Sequence, residues 1–491
     1  MRTAHWPEGA NASHTARGWW LEEAGGCEAR PPLEGDRRAD VVIIGGGYTG
    51  LWTAWFLRRH APDADVVLLE AEQCGHGPSG RNGGFVGGLW RSLPDLEERF
   101  GAAAAVATGR AAARSVDAIG EWCEAEGVDA WYRKAGQIRI ETAAPQRAAA
   151  DELLETAKRL GVGDEVTAIG PEEVRARCAG QLFGRRTLVR QCATVQPARL
   201  ALGLRERVIA AGVEVYENSR VRGVHARTIP RAVDGGSAGG RGPGTGVTVE
   251  TDGGRVRAPV AVLAVGPSSA RVPGLRRRLT VASSHIVLTE PVPDVLEELG
   301  WTGGEALVDG RVFLHYLRTT RDGRIVFGWG GGRVAFGARV GGRAEIDRLV
   351  AIEAHRDLVR YFPQLAGRRI THAWGGPIDV SPTHLPVIGT MPDGLVHYAF
   401  GYTGNGVGLS HLAGRILAAL AFDERTEETR LPLVNPPPVR VPPEPLRFVG
   451  GSLVRRAFLR KERAEAEGRH TDPLTKAVTE IPKKIGIHLG R

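Results

Sequence analysis

Apolar and polar positions follow two periods along the chain, and the changes between them mark its elements. Val41–Ile44 is a continuous β-branched run, the composition of a strand buried on both faces. From Gly50 to His60 apolar residues recur at helical spacing, and "VVLLE" then returns to a strand ending at Glu70. This unit reads strand, glycine turn, helix, strand. An Ala-rich stretch at about 101–126 predicts a helix, and "WYRKAGQIRIETA" alternates as a strand does. Helical patterns follow at about 145–160 and 198–211, then paired strand material in "GVEVYENSRVRGVHA". "VTVETDGGRVRAPVAVLAVG" reads as a hairpin and a buried strand ending in Gly266. Residues 281–330 are strand-rich, with Asp322-Gly323 as a hairpin turn, and a helical segment runs at about 343–362. "GYTGNGVGLSHLAGRILAALA" is a glycine loop followed by a helix.

The polar stretches have characters of their own. The first 39 residues are irregular, apart from Trp19-Trp20, a pair expected to pack back on the body. Residues 227–246 are low in complexity and predict a mobile loop joining two strands. "PLVNPPPVRVPPEP" is extended, and a basic helical tail follows it. The tail lies beyond every cofactor motif, so its removal is expected to spare flavin content and turnover.

At 491 residues the chain exceeds one simple core and predicts interlocked domains. Its 42% hydrophobic and 24% charged residues suit a soluble globular protein. No run approaches the roughly 18 apolar residues that a membrane span requires, and no secretory pattern opens the sequence, so a cytoplasmic location is expected. The five cysteines are widely spaced without a CxxC, which predicts free thiols and no metal site. The net charge of +8 raises the question of an acidic partner. Only six of the 64 basic residues are lysines, and four of those lie in the last 31 residues. Such an arginine excess fits a GC-rich coding sequence better than phosphate recognition. With no nucleic-acid reader motif in the chain, nucleic acid is not the expected partner.

In "GGGYTG", Gly45, Gly47 and Gly50 have GxGxxG spacing between a strand and a helix. The first allows the tight turn, the second lets backbone approach a pyrophosphate, and the third permits close helix–strand contact. Tyr48 and Thr49 open the helix, whose N-terminus presents N–H groups to a diphosphate. Glu70, 20 residues after Gly50, is placed to hold ribose hydroxyls, with Ala71 beside it. A second loop, "GPSGRNGG", separates FAD from a nicotinamide dinucleotide. Gly77, Gly80, Gly83 and Gly84 let backbone approach a flavin, Ser79 and Asn82 can donate hydrogen bonds, and Arg81 offers a cation near a reduced flavin or else a salt bridge.

With "WGGPIDVSPTHLPVIG" and "GYTGNGVGLS…AGR", these motifs resemble the FAD-dependent D-amino-acid oxidase and glycine oxidase superfamily, nearest the gamma-glutamylputrescine oxidase-like branch, over about residues 38–425. The resemblance implies an α/β fold with an α+β second domain: a glutathione-reductase-type Rossmann FAD domain interleaved with a mixed-sheet substrate domain. On that basis 1–39 is an N-terminal extension, and 40–100, 186–270 and 385–430 form the FAD domain. Residues 101–185 and 271–384 form the substrate domain, and 431–491 the Pro-rich segment and tail. The resemblance also implies adenine contact at Val221, cofactor approach at Gly266, and closure over the flavin by Gly404, Asn405, Gly406 and Val407.

Three departures from the family pattern bear on function. Where relatives hold a substrate carboxylate with arginine, this chain has Pro377-Ile378 and Gly404, although Arg318 offers a replacement from another strand. Where sarcosine oxidase-like relatives place an oxygen-activating lysine, this chain has Val326. No cysteine follows Cys192, and Arg81 stands near the position of an attachment histidine, which favours noncovalent FAD.

The expected activity is oxidation of the C–N bond of a small-molecule amine or amino acid by hydride transfer to flavin N5. The resulting imine hydrolyses, and electrons pass to O2 or a carrier. Pocket candidates are His315, Trp329, Trp374 and Tyr402. Strand alternation lets only one of His315 and Tyr316 face the flavin, and His315 is the preferred choice. The alternatives are an FAD-dependent RNA-modifying protein using its basic surface and a dehydrogenase subunit serving a partner.

Overall fold

The computed structural model describes residues 13–14, 17–179, 186–227 and 245–489. The low-complexity loop expected at 227–246 therefore lies almost wholly outside the described residues. The strands it joins, Val221–Arg227 and Gly246–Thr251, pair antiparallel in a four-stranded sheet with Gly254–Ala258 and Gly35–Arg38.

A six-stranded sheet carries the first glycine turn. Its order across the sheet is Glu214–Tyr216, Val66–Leu69, Val41–Ile44, Val260–Leu263, Val396–Phe400 and Val387–Thr390. All neighbours are parallel except the last pair. Every residue of the three middle strands Val66–Leu69, Val41–Ile44 and Val260–Leu263 is buried, which is why they read as unbroken apolar runs. Helices Tyr48–His60, Pro197–Ala210 and Gly406–Ala421 join one core with that sheet.

The nine-stranded sheet runs Ser13–His14, Ile370–Val380, Thr280–Thr289, Ile325–Trp329, His315–Thr319, Ala306–Asp309, Gln137–Ile140, Arg186–Val189 and Val166–Ile169. Arg186–Val189 thus pairs here, although the cofactor domain was expected to resume at 186. Two strands from the N-terminal extension, Ser13–His14 and Gly35–Arg38, are built into sheets. Trp19 and Trp20 are buried, and Trp20 meets Trp374 edge-on at 6.3 Å. Helix Arg348–Tyr361 covers one face of the nine-stranded sheet with Leu317, Phe327 and Val287. On the other face Leu288 and Val326 pack with Trp19, Trp20 and Ala198, and the rest borders a cavity.

Candidate functional site

A cavity of about 900 Å³ is lined from both large sheets and from the loops between them. At the cofactor end, Val41–Ile44 delivers the chain to Gly45, whose φ of +108° and contact with the Ala264 carbonyl leave no room for a side chain. A side chain at Gly50 would strike the Gly45 carbonyl, so this glycine serves helix–strand contact and does not line the cavity. Gly47 differs: the nearest atom to an added Cβ is Ser79 Oγ at 3.0 Å, and the space beyond is cavity. Glu70 Oε2 accepts from Gly46 N at 2.7 Å and Oε1 from Glu72 N at 3.0 Å. Burial holds its carboxyl above the usual range. Tyr48, Thr49, Ala71, Val221 and Gly266 share the lining. A glycine turn at a helix N-terminus, open to the cavity, with a carboxylate on the next strand, fits an adenine dinucleotide.

The second glycine loop holds its own shape. Ser79 Oγ accepts from Tyr48 N at 2.9 Å. Asn82 Oδ1 accepts from Gly84 N, and Asn82 Nδ2 donates to the Ser79 carbonyl, both at 2.7 Å. The Asn82 amide is thus engaged within the loop, where a donor to the flavin was expected. Gly80 and Gly84 pack on the carbonyls of Gly75 and Val195 and do not line the cavity, whereas Gly77, Arg81 and Gly83 do. Arg81 Nη1 pairs with Glu345 at 2.8 Å, and the Arg81 carbonyl accepts from Trp374 Nε1 at 2.8 Å. Opposite, Gly404, Asn405, Gly406 and Val407 line the wall where helix Gly406–Ala421 begins. Asn405 Nδ2 donates to the Gly88 carbonyl at 2.8 Å, tying this loop to the end of the second.

The other end of the cavity is set by one row across the nine-stranded sheet. Trp374, Ile286, Gly328, Tyr316, Val308 and Arg139 are successive cross-strand partners, so their side chains share a face. Trp374, Tyr316 and Arg139 line the cavity, and Tyr402 joins them with its hydroxyl 2.8 Å from Thr49 Oγ1. The preference for His315 is corrected here. His315 is directly opposite Trp329 in the register, and both face the helix-covered side of the sheet, away from the cavity. His315 Nδ1 is 2.8 Å from Asp309, and Nε2 is 3.0 Å from Asp357. Burial pushes the imidazole pKa down, but these carboxylates outweigh it and hold the pKa above the usual value.

Arginines that no sequence motif pointed to also line the cavity, Arg91, Arg139 and Arg311 among them. Arg91 Nη1 donates to Gln137 Oε1 at 2.8 Å. Arg311 faces Asp309 at 3.4 Å and Asp357 at 3.9 Å. Arg139 is buried, which pulls its pKa down, while Asp309 and Glu141 act in the other direction. A signal for Arg139 was present. In "QIRI" every residue is buried, so Gln137 and Arg139 are polar groups inside a buried strand. Arg318, the candidate replacement clamp, is not in the lining. It donates to the carbonyls of Gly84 (3.2 Å) and Val195 and stacks on Trp20, and burial pushes its pKa down to about 9. Asp379 was also missed. It lines the cavity, accepts from Gly401 N at 2.6 Å, and has its carboxyl pKa pushed up to about 6 by burial.

The tail is part of this site, contrary to expectation. Helices Leu446–Ala466 and Pro473–Lys484 and the residues after them contribute Arg447, Val454, Arg455, Ile481, Ile485 and Leu489 to the wall. Arg455 Nε donates to the Gly331 and Gly332 carbonyls at 2.9 and 2.7 Å. Glu462 accepts from Val312 N at 2.7 Å. His488 N donates to the carbonyl of Pro382, a lining residue, at 2.7 Å.

A family model described as "FAD dependent oxidoreductase" (DAO) matches residues 40–420. A probable oxidoreductase OrdL of Rhizobium meliloti (strain 1021) is 28% identical over 87% of this chain and 91% of its own. The gamma-glutamylputrescine oxidoreductase of Escherichia coli (strain K12) is 29% identical over 78% of this chain and 83% of its own. Among solved structures, glycine oxidase from Geobacillus kaustophilus superposes with a TM-score of 0.64 at 20% identity, covering 80% of this chain and 96% of its own.

Proposed function

The chain belongs to the DAO family of FAD-dependent oxidoreductases, which act on amines or amino acids, and from that premise we propose that it oxidises the C–N bond of an extended amine bearing an acidic group away from the reacting carbon. Bound FAD would supply the two-electron acceptor, taking the α-hydride of the neutral amine and leaving an imine that water hydrolyses to a carbonyl compound and an amine or ammonia. Gly47, Glu70 and the loop 77–84 would hold the dinucleotide, and the helix starting at Gly406 would close over it.

The chain's own residues orient the substrate. Tyr316 and Trp374 bound the reacting end, and the buried walls exclude water. The observation that carries the reading is where the cations sit. Pro377, Ile378 and Gly404 line the cavity without charge, while Arg139 lines it one strand beyond Val308 and Arg91 is bonded to Gln137 of the same strand. Arg139 lies two strands from Tyr316, about 10 Å by ordinary strand spacing, and on this reading a minimal amino acid at the Tyr316 end cannot span to it. An extended amine with a remote carboxylate can, gaining charge-assisted bonds worth about 1.5–3 kcal/mol each.

The test is anaerobic flavin bleaching across an amine panel. Amines with a distant carboxylate, γ-glutamyl amines among them, should reduce the flavin faster than glycine, sarcosine or D-alanine. If glycine or D-alanine is the best substrate, the reading fails. The same purified protein should release its FAD on denaturation, because no cysteine follows Cys192 and Arg81 stands near an attachment histidine's position.

A further inference from the structure

Every large hydrophobic side chain that is exposed among the described residues falls in two segments. Phe336, Ile346 and Leu349 form one group, and Leu446, Val449, Leu453, Leu474, Ile481 and Ile485 the other. The two meet in space: Phe336 packs edge-on against Phe448 at 5.4 Å, and Gly337 N donates to Glu444 at 3.2 Å. Monomeric soluble proteins scatter such residues singly, so a cluster marks a surface with something to bind.

The pattern on the helices says what kind of surface it is. On Leu446–Ala466 the exposed positions 446, 449, 453, 456, 460 and 463 follow at intervals of three and four, which puts them on one face. That face is apolar in its first half and arginine (Arg456, Arg460, Arg463) in its second. Its opposite side is anchored, through Arg455 and Glu462, to loops that line the cavity. On Pro473–Lys484 and just beyond, Leu474, Ile481 and Ile485 project beside exposed Lys476, Lys483 and Lys484. Residues 431–491 hold twelve Lys and Arg against six Asp and Glu, a net of +6 out of +8 for the chain. No described helix is long and apolar enough to cross a membrane.

We propose that this C-terminal helical pair docks on an anionic phospholipid surface, lying in the headgroup layer with its apolar side chains inserted and its Lys and Arg among the lipid phosphates. Apolar anchors with basic neighbours on low-hydropathy helices are the chemistry of an interfacial element. A nucleic acid would use the cations and leave Leu446, Val449, Leu453 and Leu474 in water. A second copy of this chain would bring the same positive charge against itself. Leu446, Ile481 and Ile485 both belong to the exposed cluster and line the cavity, so docking turns the cavity mouth toward the membrane surface.

The test sediments the FAD-loaded protein with vesicles of phosphatidylcholine, with and without phosphatidylglycerol, at low and high salt. Binding should be at least roughly ten-fold stronger to the anionic vesicles and should weaken with salt. A triple variant, Val449→Glu, Leu453→Glu and Leu474→Glu, changes exposed positions outside the cavity lining. It should lose that binding while keeping flavin content and turnover, a readout independent of which substrate is correct. Absence of vesicle binding by the wild type, or binding equal in the triple variant, overturns the proposal. So does a wild-type dimer that the triple variant dissolves, or bulk RNA retained by the wild type, without any vesicle binding.

Discussion

The Tyr316 ring lies over Gly328, its partner on the neighbouring strand, in the space a side chain there would fill, and the Tyr316 hydroxyl is 2.8 Å from Ser284 Oγ beyond. The phenol therefore crosses a bare strand to reach the next, and Phe85 braces its edge at 5.6 Å. Gly328→Ala should push the ring off Ser284 and into the cavity. Flavin content should stay at the wild-type level, because the cofactor motifs lie elsewhere, while kcat/KM falls by roughly ten- to a hundred-fold, the scale of a misplaced positioning group. Tyr316→Phe keeps the ring and loses only the Ser284 bond, so its loss should be smaller. An alanine variant with wild-type kcat/KM would show that the ring's position does not matter to turnover.

Gly47→Val should yield a colourless protein. The valine side chain would crowd Ser79 Oγ and occupy the opening at the helix N-terminus through which a diphosphate would approach. The ratio of flavin to protein absorbance after purification measures this directly, and a wild-type ratio would place the cofactor elsewhere.

Arg139→Met keeps much of the buried side-chain volume and removes the cation from the cavity wall. For an acidic extended amine, KM should rise by roughly ten- to a hundred-fold, the equivalent of one charge-assisted bond, with a smaller change in kcat. A neutral amine of the same length should lose little. Steady-state kinetics on the pair give the split, and equal losses for both amines would argue for a purely structural role.

The elements were legible wherever one period dominated. The expected helices at 101–126 and 198–211 are Ala102–Ala125 and Pro197–Ala210, and the turn at Asp322-Gly323 joins two antiparallel strands. The site was legible where a backbone shape is dictated by residue type, as at Gly45 and Gly50. It was not legible where facing decides. Alternation separates His315 from Tyr316 without saying which side of the sheet a helix covers. Here Arg348–Tyr361 covers the His315 side, and Asp309 and Asp357 make that position habitable for an imidazole. The place of the tail was not legible for a similar reason: distance along the chain from the cofactor motifs says nothing about where two terminal helices dock.

Deleting residues 447–491 should leave FAD bound and impair turnover. The deletion removes Arg455 from the Gly331 and Gly332 carbonyls and Glu462 from Val312 N, loosening two loops of the cavity wall. Buried backbone groups left without partners cost about 1–3 kcal/mol each, enough to move those loops. KM should rise by roughly ten-fold or more at near-normal flavin content. Unchanged KM in a soluble truncated protein would mean that the wall holds without the tail.

Asp379 gives the protein a pH dependence whose sign is set by burial. Burial raises its folded-state pKa to about 6 from the ordinary 3.8, against the pull of the Gly401 N–H. Between those values the folded protein binds more protons than the unfolded chain, so stability from this group falls as pH rises through the window. The full effect is about 3 kcal/mol, present below pH 3.8 and gone above about pH 6. Asp379→Asn keeps an oxygen for the Gly401 N–H and cannot ionise. Relative to that variant, the wild type should gain stability as pH is lowered from 7 to 4, with most of the change below pH 6. Thermal midpoints of both proteins at saturating FAD, compared at each pH, measure the difference. A difference that stays flat across that range would mean that the Asp379 carboxyl ionises as it would in water.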